Sequence, residues 1–311
     1  MQTLCHAPGN GAQYWISSDG KTRLPVIAKT PTHGARVKGV VILVPGLDGT
    51  LCDYESLAAA LAQHGYAVHG FEHRAMRFDP DEKRRGRASD WKPWVRDLQS
   101  FTADVRALHP GMPLYYHGHS FGTVVALEAI AESTRNAAKR GLVPNGVILQ
   151  SPALALLPES NPWLTRGLLW PLSSIRFPHL SMMESRKLEL TRNASYNCAW
   201  MRSENRVSRG YTIGWFRQAL AMGHKARMFS ETVQLPPVLA LWGGKDFITL
   251  GGRPGDFMAQ KQGDYEKYLR EELGGRLKKV IGYPAGCHLL TEGLGKEQVI
   301  HDIITWLDAK H

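Results

Sequence analysis

With 311 residues, 43% of them apolar and 21% charged, the chain has the size and balance of one large α/β domain or two smaller ones. No stretch approaches the roughly 18 uninterrupted apolar residues of a membrane-spanning helix, and residues 1–10 lack the basic start and apolar run of a secretory leader. Four cysteines (Cys5, Cys52, Cys198, Cys287) are scattered without C-x-x-C spacing, which argues against a disulfide framework or a metal site and fits a reducing, cytoplasmic compartment.

In chain order, Tyr14-Trp15-Ile16 and residues 24–28 flank an Asp19-Gly20 turn and predict a hairpin. The run Val40-Val41-Ile42-Leu43-Val44 predicts a strand buried on both faces, and it leads into Pro45-Gly46-Leu47-Asp48-Gly49. Residues 53–64 read as a helix closed by Gly65, 66–71 as a strand, and the basic stretch 74–89 as a loop. Trp91, Trp94, Val95, Leu98, Phe101, Val105 and Leu108 then recur at helical spacing, a one-sided stripe ended by His109-Pro110-Gly111.

Residues 114–127 form a β-type run, a Gly118-His119-Ser120-Phe121-Gly122 turn and a small-residue helix, followed by a strand at 146–150. From 155 to 234 the pattern changes to short helical pieces rich in Pro, Trp and Met. Alternation resumes with a strand at 238–242, a helix near 264–273, a strand at 277–283 and a final helix with Val299, Ile300, Ile303, Ile304 and Leu307 on one face. Such alternation predicts a mostly parallel sheet with helices on both faces. The expected organisation is one discontinuous core, 1–154 with 235–311, interrupted by an inserted helical cap at 155–234.

A serine hydroxyl is a poor nucleophile unless it is exposed, beside a base and near oxyanion donors. A G-x-S-x-G turn between strand and helix presents Ser120 in that way, although so short a motif also arises by chance. Its partners are what raise it above chance. An acid and a histidine should follow on loops leaving the C-terminal edge of the sheet. Gly243-Gly244-Lys245-Asp246 places Asp246 just past one strand end, and Pro284-Ala285-Gly286-Cys287-His288 places His288 just past another. His288 would serve as general base and Asp246 would orient it, with Asp256 as the alternative acid. The backbone N–H groups of Leu47 and Phe121 are the expected oxyanion donors. His117 and His119 read as packing or hydrogen-bonding residues of the strand.

These motifs resemble the α/β-hydrolase superfamily, and most of all its monoacylglycerol lipase and lysophospholipase (serine aminopeptidase-like) branch. Pro45-Gly46-Leu47 stands where that branch has His-Gly-x, Gly118 to Gly122 matches Gly-His-Ser-x-Gly, and Gly244-Lys245-Asp246 matches Gly-x-x-Asp. Tyr283 to His288 with Glu292 matches Tyr-Pro-Gly-x-x-His…Glu, and residues 210–215 resemble a cap segment of bacterial lysophospholipases. Glu72-His73-Arg74-Ala75-Met76-Arg77 departs from the usual Asp-x-Arg-Gly-x-Gly. The resemblance implies an α/β-hydrolase fold and a cofactor-independent serine esterase forming an acyl-enzyme on Ser120.

Between 155 and 234, eleven Lys and Arg face five Glu, a surplus of six in a formal charge of +10. Trp163, Leu168, Trp170 and Met182 lie in the same span. A basic cap bearing large apolar side chains suits an apolar acyl chain beneath it and an anionic headgroup or membrane surface above. The expected substrates are monoacylglycerol-like or lysophospholipid-like esters, with peripheral contact to anionic membranes. No nucleic-acid motif accompanies the charge, and no obligate protein partner is implied. An acyltransferase or thioesterase would use the same residues, and a non-catalytic ligand receptor is the reading from another class. A peptidase is disfavoured because the cap offers no evident site for a free N-terminus.

Overall fold

The computed structural model describes residues 13–31, 36–47, 49–76, 79–156, 211–233, 235–246, 262–275 and 277–310. The strands β1 (Tyr14–Ile16), β2 (Arg23–Lys29), β3 (Gly39–Val44), β4 (Tyr66–Phe71), β5 (Leu114–His119), β6 (Gly146–Gln150), β7 (Val238–Gly243) and β8 (Lys278–Tyr283) form one sheet, ordered β1-β2-β4-β3-β5-β6-β7-β8. The six strands from β4 to β8 in that order are parallel, whereas β1 and β2 pair antiparallel as the predicted hairpin. This is the α/β-hydrolase architecture.

The helices are α1 (Glu55–Gln63), α2 (Lys92–Leu108), α3 (Phe121–Arg135), α4 (Ile213–Thr232), α5 (Gln262–Lys267, continued by a π turn over Tyr268–Glu272) and α6 (Lys296–Asp308). Alternation along β3 explains the layers. Val40, Ile42 and Val44 point into one core with Trp94 and Leu98 of α2, Val124 and Leu127 of α3, and Met222 and Phe229 of α4. Val41 and Leu43 point into the opposite core with Leu57 and Leu61 of α1 and Ile303 and Leu307 of α6. A strand buried on both faces therefore has to be apolar throughout, and each such side chain contributes about 1.5–3 kcal/mol by leaving water.

Two details differ from the sequence reading. The apolar stripe of α2 stops at Val105, because Leu108 is 68% exposed at the helix end. In place of short pieces, residues 213–232 form one long helix, α4, which packs along α3. Its N-cap is Thr212, whose hydroxyl accepts the Trp215 N–H at 3.1 Å.

Candidate active site

β5 ends at His119 and α3 begins at Phe121, so Ser120 alone makes the turn between them. It sits at φ +51°, ψ −119°, a conformation that costs a non-glycine residue on the order of 1–3 kcal/mol. The surrounding backbone holds it there. Ser120 N–H donates to the Gln150 carbonyl at 2.9 Å, and Thr123 N–H donates to the Ser120 carbonyl at 3.0 Å. The flanking glycines have separate steric reasons. A Cβ on Gly122 would lie 2.0 Å from the Val44 oxygen, and one on Gly118 would lie 2.9 Å from Thr123 Cα.

Because β5, β7 and β8 are parallel, the segments that leave their C-terminal ends emerge at one sheet edge. The turn after β7 and the turn after β8 meet backbone to backbone. Gly244 N–H donates to the Tyr283 carbonyl at 2.8 Å and Lys245 N–H to the Gly286 carbonyl at 2.9 Å. A side chain on Gly243 would strike the Gly286 oxygen at 2.4 Å. This packing sets Asp246 beside His288, whose Nδ1 lies 3.0 and 2.9 Å from the two carboxylate oxygens. A carboxylate only accepts, so Nδ1 holds the proton and Nε2 is the basic nitrogen. Both side chains are buried. Burial and the neighbouring Asp246 charge push the Tyr265 hydroxyl well above its ordinary range.

The turn after β3 closes the site from another side. His73 Nε2 lies 3.2 Å from the Pro45 carbonyl, and Gly46 N–H donates to Tyr54 Oη at 3.1 Å. Burial pulls the His73 imidazole down to about 4, so this donor stays neutral. Among the described residues no group accepts the N–H of Leu47 or of Phe121, the latter at the first position of α3.

The loop at Glu72–Met76 takes a defined shape despite its departure from the family pattern. Arg74 Nε and Nη2 grip the two oxygens of buried Asp97 at 2.6 and 2.8 Å, while Nη1 reaches Asp19 in the β1–β2 turn at 2.7 Å. Trp94 Nε1 donates to the Arg74 carbonyl at 3.0 Å, and Asp79 accepts the Ala75 N–H at 2.7 Å. Burial raises the Glu72 carboxyl to about 7.

The sequence model of a family described as "Serine aminopeptidase, S33" matches residues 35–292. The chain belongs to that family. It is 25% identical over 259 residues to the monoglyceride lipase of Rattus norvegicus, covering 83% of this chain and 78% of the relative. Over a shorter stretch of 107 residues it is 31% identical to the human monoglyceride lipase, covering 34% of this chain and 32% of that one. Among solved structures, the monoacylglycerol lipase of Paleococcus ferrophilus superposes with a TM-score of 0.62 at 20% identity, covering 93% of this chain and 99% of the other. A soluble variant of the Saccharomyces cerevisiae monoglyceride lipase, bound to a substrate analog, superposes at 0.66 with 17% identity, covering 100% and 98%. At such identities these superpositions speak for the shared fold.

Within this S33-family chain, Ser120, Asp246 and His288 emerge at the same sheet edge as Leu47 and Phe121. Trp163, Leu168, Trp170, Met182 and the alternative acid Asp256 lie outside the described residues. Of the expected cap span, residues 211–233 are described, and Tyr211 and Trp215 lie in the core cluster with Phe121 and Trp94. The Trp215 ring stands 5.5 Å from those of Phe121 and Trp94 and 4.4 Å from that of Tyr211. Sequence reasoning missed Tyr54 and His73, for which no spacing rule exists. It also missed that Cys287 is disulfide-bonded.

Proposed function

We propose that this carboxylic-ester hydrolase cleaves monoacylglycerol-like or lysophospholipid-like esters through an acyl-enzyme on Ser120. His288 takes the Ser120 proton at Nε2 as the hydroxyl attacks the ester carbonyl, then returns it to the leaving alkoxide. Asp246 fixes the tautomer and stabilises the imidazolium. The N–H groups of Leu47 and Phe121 receive the oxyanion, helped by the α3 N-terminus. Water then repeats the sequence against the acyl-enzyme. The observation that carries this reading is the Asp246–His288 hydrogen bond, formed at the sheet edge where Ser120 stands in a strained turn.

The substrate class draws support from the names of the lipase relatives and from the composition of the 155–234 insert, with its positive surplus and its Trp163, Leu168, Trp170 and Met182. No described helix is long and apolar enough to cross a membrane. Contact with an anionic surface is assigned to the basic insert because of its charge surplus. A fluorophosphonate probe tests the nucleophile: wild-type protein should label and Ser120→Ala should not, and equal labelling sinks the reading. A panel of p-nitrophenyl esters and lipid headgroups tests the substrate class. Medium or long chains should outrun acetate, and an acetate-preferring profile would overturn the lipid assignment. Vesicle binding that rises with anionic lipid and falls with salt would support the surface role, whereas salt-independent binding would remove it.

A further inference from the structure

We infer that His119 is a positioning residue, the middle of a one-directional hydrogen-bond brace that ties the Pro45–Leu47 turn to the backbone of His288. The inference rests on the proposed serine-hydrolase reading and adds a part to that site. His119 is buried, and its Nε2 lies 3.1 Å from the His288 carbonyl oxygen. A carbonyl can only accept, so Nε2 carries the proton, and Nδ1, 2.9 Å from Tyr54 Oη, presents its lone pair. Tyr54 therefore donates to Nδ1 and accepts from Gly46 N–H. The direction is fixed from end to end: Gly46 N–H to Tyr54, Tyr54 O–H to His119, His119 Nε2–H to the His288 carbonyl. The Ser151 hydroxyl donates to that same carbonyl at 2.8 Å, so both of its lone pairs are engaged.

The packing leaves this brace no slack. A Cβ on Gly46 would stand 2.9 Å from His119 Nδ1 and 3.2 Å from Ser120 Cβ, so the turn bearing Leu47 lies directly on the ring and on the nucleophile. The His119 and His288 rings are 4.8 Å apart. When His288 becomes an imidazolium, a second imidazolium at that distance would oppose it. A neutral His119 does not. Protonating Nδ1 would make it a donor and turn the Tyr54 O–H away from the ring, so a brace running in this direction needs a neutral His119. Burial, then the neighbouring His288 and His117, hold the His119 imidazole well below its ordinary range. One buried residue thus sets the base-bearing turn and the oxyanion turn against the same reference atoms, where small misplacements cost much rate.

The test is made on the full chain. In 15N-labelled protein, with the His119 signals assigned by their loss in His119→Gln, the ring should show the neutral Nε2–H tautomer, unchanged from about pH 5.5 to about pH 8. An Nδ1–H tautomer, or titration within that range, overturns the brace. In kinetics on a p-nitrophenyl ester, Tyr54→Phe keeps the ring but cuts both links, and kcat should fall roughly ten-fold with KM within about two-fold. His119→Phe should fall at least as far, and the double variant no further than the worse single one. Additive losses, or a Tyr54→Phe kcat equal to wild type, overturn the proposal. A failure of the serine-hydrolase reading would appear separately, as probe labelling of Ser120→Ala, and leaves the tautomer measurement to decide on its own.

Discussion

Asp246 meets His288 with both carboxylate oxygens, at 3.0 and 2.9 Å from a single Nδ1. An asparagine there keeps the size but can turn its NH2 toward the ring, which then takes the opposite tautomer and loses the basic Nε2. Asp246→Asn should therefore lower kcat by about 10³–10⁴-fold at neutral pH while Ser120 stays in place. Steady-state hydrolysis of a short p-nitrophenyl ester checks this. If Asp246→Asn stays within ten-fold of wild type while Asp256→Asn collapses, the acid has been misassigned.

Gly122 is required by the backbone of β3 rather than by a torsion of its own. A methyl group there would lie 2.0 Å from the Val44 oxygen and 2.5 Å from the Pro45 oxygen, neither of which can rotate away. Gly122→Ala should cost at least about 3 kcal/mol or abolish soluble expression. Gly141→Ala is the matched control. Its Cβ meets nothing within 4 Å and its φ is ordinary, so it should be neutral to mildly stabilising, by up to about 1 kcal/mol. Urea unfolding of the two variants decides, and similar midpoints would refute the steric account.

The contrast between these glycines shows what a sequence discloses. Val40 to Val44, the Gly118–Gly122 turn and the strand ends before Asp246 and His288 were legible because local patterns require them: full burial, a tight turn, a loop at a parallel edge. The brace partners were not. Tyr54 precedes α1 and Ser151 follows β6, and only the packing of distant segments brings both to the same two turns. α4 was obscured for a different reason. Gly214 and Gly223 lie within it, and its buried face meets α3 rather than presenting a plain stripe.

Arg74 supplies a further test of stability. Its guanidinium bridges Asp97 of α2 and Asp19 of the β1–β2 turn, and the Asp97 carboxylate is buried. Removing one member leaves a buried charge uncompensated, which costs on the order of 3–5 kcal/mol. Arg74→Met should therefore destabilise the chain by about 3 kcal/mol, and Asp97→Asn by somewhat less because Asp19 still faces the arginine. Denaturant midpoints at constant slope provide the measurement. A loss below about 1 kcal/mol for Arg74→Met would show that the pair is solvated in practice.

Glu128, on the α3 face toward α4, gives a signed pH dependence. It is buried, its Oε2 meets no hydrogen-bond donor among the described residues, and burial raises its carboxyl to about 7 against attraction from Lys225 and Arg135. The unfolded chain releases that proton near its ordinary value of 4.5, whereas the folded chain keeps it until about 7. Between those values the folded state binds more protons, so stability falls as pH rises and levels off above about 7. Glu128→Gln removes this contribution. Relative to wild type, the variant should gain on the order of 2 kcal/mol between pH 4.5 and pH 8, and the change across pH is the observable rather than the offset. Urea unfolding of both proteins at several pH values measures it. A difference that stays flat, or one that shrinks as pH rises, would mean that Glu128 is charged in the folded protein throughout.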